Sequence, residues 1–458
     1  MKNVLVKHVV KFVLLLPFVS LLFSCTGDDY VNAIPGNSTV VVSIDLKRLG
    51  ENNTDGSPAD KFKTLLKVDD VEECGIDLSE KTYLFETVDG NLGVVAKVAD
   101  DDDLDTWLNE RAESGFCKKT SERKDCRFTV IQNSWVAGFS SNALMIIGPV
   151  LPAAQAEVVR FIMKSLGQDE EMSIKASPLF DKLDTIDSPI AFVGQSDTFS
   201  EKFTAPLTFG APKDADASRI MIAAGVESHK GFIEIKGEPF SFNANINKSL
   251  KDAYRLFRPI TERYLESMPS DAFMGAFMNV DGKQFIELLH SNKAFQTLLT
   301  GANIAVDMDK IIRSIDGDIA IVMPRYNNDN SEIRFAAKLG DKDFLNDIGY
   351  WKKSCPLGSR ITDEGKDTYC FKNGGMTYYF GVSDDMQYFS GNTLNDASQS
   401  IIKAQKTLPQ ELRTTINGSK ISLVFNVGTL FADDKSGLLS DILTPFFGNV
   451  GYILYNVR

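Results

Sequence analysis

Histidine is almost missing from this chain, with three among 458 residues, and tryptophan is equally scarce. Zinc proteases and nucleophile–base relays need His beside Glu, Asp, Cys or Ser at set spacings. His8 falls in the N-terminal leader, His229 in a turn between apolar runs, and His290 after Leu288-Leu289 near a helix end; none joins such a constellation. Gly-x-Ser-x-Gly, Gly-x-Gly-x-x-Gly and the Walker phosphate loop are absent too, so no cofactor and no metal ligand set is expected. Basic charge is in deficit: 49 Lys and Arg face 62 Asp and Glu, a net charge of −13. Nucleic-acid binding, which needs a basic face, is therefore excluded. So is a peripheral membrane contact built on lysine clusters. Beyond residue 24 no stretch offers 18 apolar residues without charge, and no membrane-spanning helix is expected.

What is present begins at the N-terminus. Lys2, Lys7, His8 and Lys11 form a positive segment, and Phe12 to Phe23 is an apolar run too short for a comfortable span. The run ends in Leu22-Phe23-Ser24-Cys25, a small residue before Cys with Leu two places further back, which is the pattern lipoprotein signal peptidase reads. Residues 1–24 are therefore expected to be a lipoprotein signal peptide and Cys25 the acylated first residue. More than one acyl chain at Cys25 suffices for stable anchoring. Thr26-Gly27-Asp28-Asp29 completes an acidic tether over 25–29, and it resembles the short acidic stretch of Bacteroidetes lipoproteins displayed on the outer face of the outer membrane. Surface exposure is the expectation, with the periplasmic face as the alternative.

The rest of the chain looks copied. Ile34-Pro35-Gly36-Asn37-Ser38 through Asp45 returns as Met268-Pro269-Ser270-Asp271-Ala272 through Asn279, and Phe62-Lys63-Thr64-Leu65-Leu66 as Phe295-Gln296-Thr297-Leu298-Leu299. Ala96-Lys97-Val98-Ala99-Asp100 matches Ala337-Lys338-Leu339-Gly340-Asp341; Gly138-Phe139-Ser140 matches Gly381-Val382-Ser383. Leu151 and Ala154 match Leu394 and Ala397, and Ile190 to Val193 match Ile421 to Val424. Six matches in one order, with offsets confined to 231–243, read as two tandem homologous repeats over 30–260 and 261–458. Each opens with a Pro-led turn and a β-branched or aromatic strand, then a helix, a hairpin, a short helix, a second hairpin and a longer helix (154–166; 397–408). Asp89-Gly90 between alternating apolar runs predicts a hairpin turn. A long amphipathic helix over about 246–266 is expected to link the copies. Hairpins outnumber crossovers, so the class is α+β, with mainly antiparallel sheets and packed helices.

The Cys25 anchor, the Tyr30-x-x-x-Ile34-Pro35-x-x-Ser38 start and Val42-Ser43-Ile44-Asp45-Leu46 resemble a Bacteroidetes family of predicted lipoproteins known only as a domain of unknown function. The resemblance implies envelope location and duplication across the whole chain, and supplies no chemistry.

Five cysteines remain besides Cys25. Cys117 and Cys126 bracket a charged turn, and Cys355 and Cys370 bracket the corresponding segment of the second copy. An exported protein can oxidise such pairs, so two equivalent disulfides are expected, each worth about 3 kcal/mol on chain-entropy grounds. Cys74, without a counterpart, is expected as a buried thiol. The Asp100–Asp103 run lacks the Gly and Glu that a calcium loop needs, Asp105 and Arg111 standing in those positions, and reads as a helix N-cap. Trp135, Tyr378 and Tyr379 are the candidate ligand-stacking aromatics, although an aromatic at the same place in both copies is better explained as core. Asp45 aligns with Asn279, an exchange no acid–base role tolerates. The expected function is a non-catalytic envelope lipoprotein that binds or supports a protein, glycan or peptide, its membrane contact made through the lipid. The alternative is an envelope hydrolase using a carboxylate pair not identifiable by spacing.

Overall fold

The computed structural model describes residues 27–51, 74–198, 208, 210–212, 215–291, 306–326, 332–430 and 447–458. It is α+β, with a mostly antiparallel sheet. The chain divides into two units, Met1–Lys47 with Phe62–Thr185, and Arg48–Lys61 with Ile186–Arg458. Among the described residues no helix is long and apolar enough to cross a membrane, which says nothing of β-barrels.

The first unit carries β1 (Val40–Ile44), β2 (Thr82–Glu86), β3 (Leu92–Lys97), β4 (Ser121–Arg123), β5 (Cys126–Ile131), β6 (Trp135–Phe139) and β7 (Ala143–Gly148). They pair antiparallel in the order β1-β2-β3-β7-β6-β5-β4. Asp89-Gly90 makes the β2–β3 turn, with Gly90 at φ +76° where a side chain is disfavoured. Helix α1 (Asp101–Glu113) is capped by Asp100, whose carboxylate accepts from the backbone N–H groups of Asp102 and Asp103, both at 3.0 Å. Its Leu104, Trp107 and Leu108 join Cys74, Val98, Ala137, Phe139 and Leu144 in the unit's core. The acidic run thus serves the helix dipole and its free amides. Helix α2 (Gln155–Leu166) follows β7, starting one residue later than the pattern suggests.

The second unit holds β8 (Ile190–Gln195), β9 (Met221–His229), β10 (Phe232–Phe240), α3 (Ala244–Tyr254), β11 (Phe257–Arg258), β12 (Met274–Asp281), α4 (Gly282–Ser291), β13 (Ile315–Met323) and β14 (Arg334–Leu339). Then come α5 (Ile348–Ser354), β15 (Ser359–Gly365), β16 (Thr368–Asn373), β17 (Met376–Val382), β18 (Gln387–Gly391), α6 (Leu394–Gln399), α7 (Gln410–Ile416), β19 (Ile421–Asn426) and β20 (Tyr452–Val457). Strands β12-β13-β14-β18-β17-β16-β15 pair antiparallel in that order, the same sequence of connections as β1-β2-β3-β7-β6-β5-β4. Asp341, at the position matching Asp100, accepts from the N–H of Asp343 at 3.2 Å and from the Ser314 hydroxyl at 2.9 Å.

The expected linking helix is shorter than its pattern. It ends at Tyr254, Phe257-Arg258 pairs as β11 with Val280-Asn279, and Pro259 cannot continue a helix. The expected 397–408 helix is replaced by α6, which starts three residues earlier and ends at Gln399, and by α7, with Pro409 at its N-cap. The Phe62–Leu66 and Phe295–Leu299 helices lie outside the described residues.

Strand β10 pairs antiparallel with β9 and parallel with β20, while β20 pairs antiparallel with β19 and β19 with β12. By chain order β8 to β10 fall within 30–260, yet they pack in the second unit. Its core gathers Phe344, Trp351, Ile361, Phe371, Phe380 and Tyr388 beneath one stretch of sheet, and Tyr264, Met268, Phe277, Leu412 and Leu454 beneath another.

Candidate functional site around Glu234

Glutamate is rarely buried without a partner, because removing an unpaired carboxylate from water costs several kcal/mol. Glu234, the third residue of β10, is 1% exposed. The local sequence dictates its neighbours. His229 and Phe232 pair across the two-residue turn Lys230-Gly231, with Gly231 at φ +84°, and that register sets Glu234 directly opposite Glu227. Residues two apart on a strand share a face, so Glu227, His229, Phe232, Glu234 and Lys236 all project to one side.

Their geometry is tight. His229 Nε2 lies 3.0 Å from Glu234 Oε2 and 3.9 Å from Glu227 Oε2. Lys236 Nζ is 2.7 Å from Glu227 Oε2 and 3.8 Å from Glu234 Oε2. The imidazole stacks on Phe232, with centroids 4.6 Å apart and planes at 11°. Glu234 Oε1 faces the other way, accepting from Asn456 Nδ2 at 3.0 Å and from Arg458 at 3.4 Å. Asn456 is 1% exposed and is held in turn by the Ser422 hydroxyl, which donates to its Oδ1 at 2.5 Å. Two carboxylates, Glu227 and Glu234, meet two permanent cations, Lys236 and Arg458.

Such a cluster can carry charge pairing or ligation of a cation; Glu227, His229 and Glu234 bring one donor atom each within 4.8 Å of one another. Sequence reasoning nominated no metal ligands and gave His229 no role. The signal it passed over is Glu227-x-His229 and Glu234 on either side of a two-residue turn. Burial of Glu234 was not legible, because β20 covers it from more than 200 residues away in the chain.

The residues that were nominated are scattered. Cys25 lies outside the described residues. The expected disulfides are not formed: among the described residues Cys117, Cys126, Cys355 and Cys370 are not joined to another cysteine, and Cys74 is buried. The register explains why for the first pair. Cys117 bridges to Ile131 and Cys126 pairs with Arg123, at opposite ends of β5. At about 3.3 Å per residue the five steps of β5 set them roughly 16 Å apart, more than twice the span a disulfide can close. Cys370 pairs with Thr362, seven residues beyond Cys355, and is fully buried. Burial pushes the Cys117, Cys126 and Cys355 thiols up, away from the reactive thiolate.

Tyr378 is a core aromatic. It packs against the Phe380–Tyr388 cluster, its hydroxyl 2.8 Å from that of Tyr388, and burial raises its phenol. Tyr379, the next residue along β17, lies opposite Cys370, and a hydrogen bond to that thiol, followed by burial, raises its phenol. Trp135 is half-buried, its indole lying against Gly148, where an added Cβ would meet the ring at 2.5 Å. Trp135 belongs to the first unit, and Tyr378 and Tyr379 to the second. His290 pairs separately, its Nε2 2.9 Å from Asp309.

A family model described as "Domain of unknown function (DUF4836)" matches residues 30–408. No curated protein matches the chain. The solved structure "Structure of crystal form III of TP0453" aligns at 8% identity and a TM-score of 0.24, over 81% of this chain and 97% of that one, a likeness too low to carry any argument.

Proposed function

The chain belongs to that family of unknown function, and from this premise we propose that it is a lipid-anchored protein of a Gram-negative envelope whose folded part acts as a binding or structural module. The anchor reading rests on Leu22-Phe23-Ser24-Cys25 at the end of a short apolar run. The outer membrane, outer face, is the location we assign, on the acidic Asp28-Asp29 tether. The family's Bacteroidetes origin belongs to the same proposal.

The observation that carries the module reading is the Glu234 network. The most deeply buried carboxylate of the described residues is bound on both oxygens, to His229 on one side and to Asn456 and Arg458 on the other. Lys236 lies against both Glu227 and Glu234, so one ammonium bridges the two acids. A glycosidase pair instead keeps an open gap for substrate and water.

We also infer that the two sequence repeats arose by duplication. Support comes from the recurring strand order and from Asp100 and Asp341, whose carboxylates each accept from the backbone N–H two residues on, at a sequence offset within the repeat range. A protein, glycan or peptide is the partner class proposed. Thermal-shift screening of the full chain against these classes, followed by product analysis of each hit, tests the reading. Stabilisation without turnover is expected; turnover of any stabilising ligand contradicts it.

A further inference from the structure

The face of the β9–β10 hairpin holds a donor set that its own lysine does not exhaust. Glu227 Oε2, His229 Nε2 and Glu234 Oε2 converge within 4.8 Å, and the site is independent of any lipid anchor. We propose that these three side chains bind a divalent transition-metal ion of the zinc class, with water as the fourth ligand.

Three observations support this. The donors are one imidazole and two carboxylates, the mix that zinc accepts in open four-coordinate sites; calcium and magnesium require six or more oxygens. Zinc bonds of about 2.0–2.1 Å in a tetrahedron set ligand atoms roughly 3.3 Å apart, and the His229 nitrogen already lies 3.0 Å from Glu234 and 3.9 Å from Glu227. The supporting groups are in place as well. Phe232 fixes the imidazole plane, Asn456 holds the far oxygen of Glu234, and Ser422 holds Asn456. Metal sites orient their ligands through such outer contacts.

Lys236 marks where the field of the cluster draws positive charge, its ammonium 2.7 Å from Glu227 and 3.8 Å from Glu234. That side chain is 36% exposed, so its flexible stem can turn to solvent when a doubly charged ion takes its place.

Calorimetric titration of the full chain with zinc chloride, with cobalt(II) absorption as a second readout of geometry, tests the proposal. One ion per chain is expected, with tetrahedral cobalt bands. His229→Ala, shown to be folded by circular dichroism, weakens zinc binding by at least about tenfold, and Asn456→Ala by roughly 10- to 100-fold. Lys236→Met, which removes the competing ammonium, binds zinc more tightly. Wild-type zinc affinity in folded His229→Ala, or no uptake by either wild type or Lys236→Met, overturns the site.

Discussion

Glu234 is the residue on which the second unit's polar interior turns. Removing its carboxylate leaves the Asn456 amide only its longer 3.4 Å bond to the Thr415 carbonyl, and His229 without its 3.0 Å partner. Breaking one member of a buried charged network costs about 3–5 kcal/mol, much of it the desolvation of the group left behind. Glu234→Ala is therefore expected to lower the unfolding free energy by about 3 kcal/mol in urea titration; a loss under about 1 kcal/mol would show that the network contributes little. The residue was invisible in the sequence because Phe232-Ile233-Glu234-Ile235 alternates like a half-exposed strand. Only the parallel arrival of β20, with Asn456 diagonal to Glu234, encloses it.

Elements were legible where the signal is local. Asp89-Gly90 and Lys230-Gly231 are turns because their glycines take positive φ, and Asp100 caps α1 because its short carboxylate reaches two free amides. Asp100→Ala is expected to cost about 1 kcal/mol, seen in the same urea titration, while added calcium leaves the wild-type midpoint unmoved. A calcium-dependent rise would restore the loop reading. Elements were misread where tertiary pairing decides. The 246–266 pattern stays amphipathic, yet β12 takes Phe257-Arg258 into the sheet. The cysteine pairs look equivalent in sequence, but strand register, which no spacing reveals, separates Cys117 from Cys126 along a ribbon. Alkylation of the denatured protein without reductant should label Cys117, Cys126, Cys355 and Cys370 alike. A peptide crosslinked between Cys117 and Cys126 would contradict the register of β4 and β5.

At the scale of the whole molecule, both units keep tyrosines out of water. Burial raises the phenols of Tyr30 and Tyr83 in the first and of Tyr378 and Tyr388 in the second. A folded pKa above the unfolded one contributes stability in full below the unfolded value, near 10 for tyrosine. That contribution is lost as pH rises from there through the folded pKa. Tyrosinate absorbance from these buried rings should therefore appear together with loss of near-ultraviolet circular dichroism, above pH about 10. Their ionisation in a chain that keeps its native signal would refute the packing described.

On this account the molecule's location depends on Cys25, which lies outside the described residues. Mass spectrometry of the N-terminal peptide from membranes of the native host tests it directly. The account predicts a chain that starts at Cys25 and carries a diacylglyceryl thioether. Recovery of residues 1–24 on the mature protein, or of Cys25 as an unmodified thiol, would contradict it.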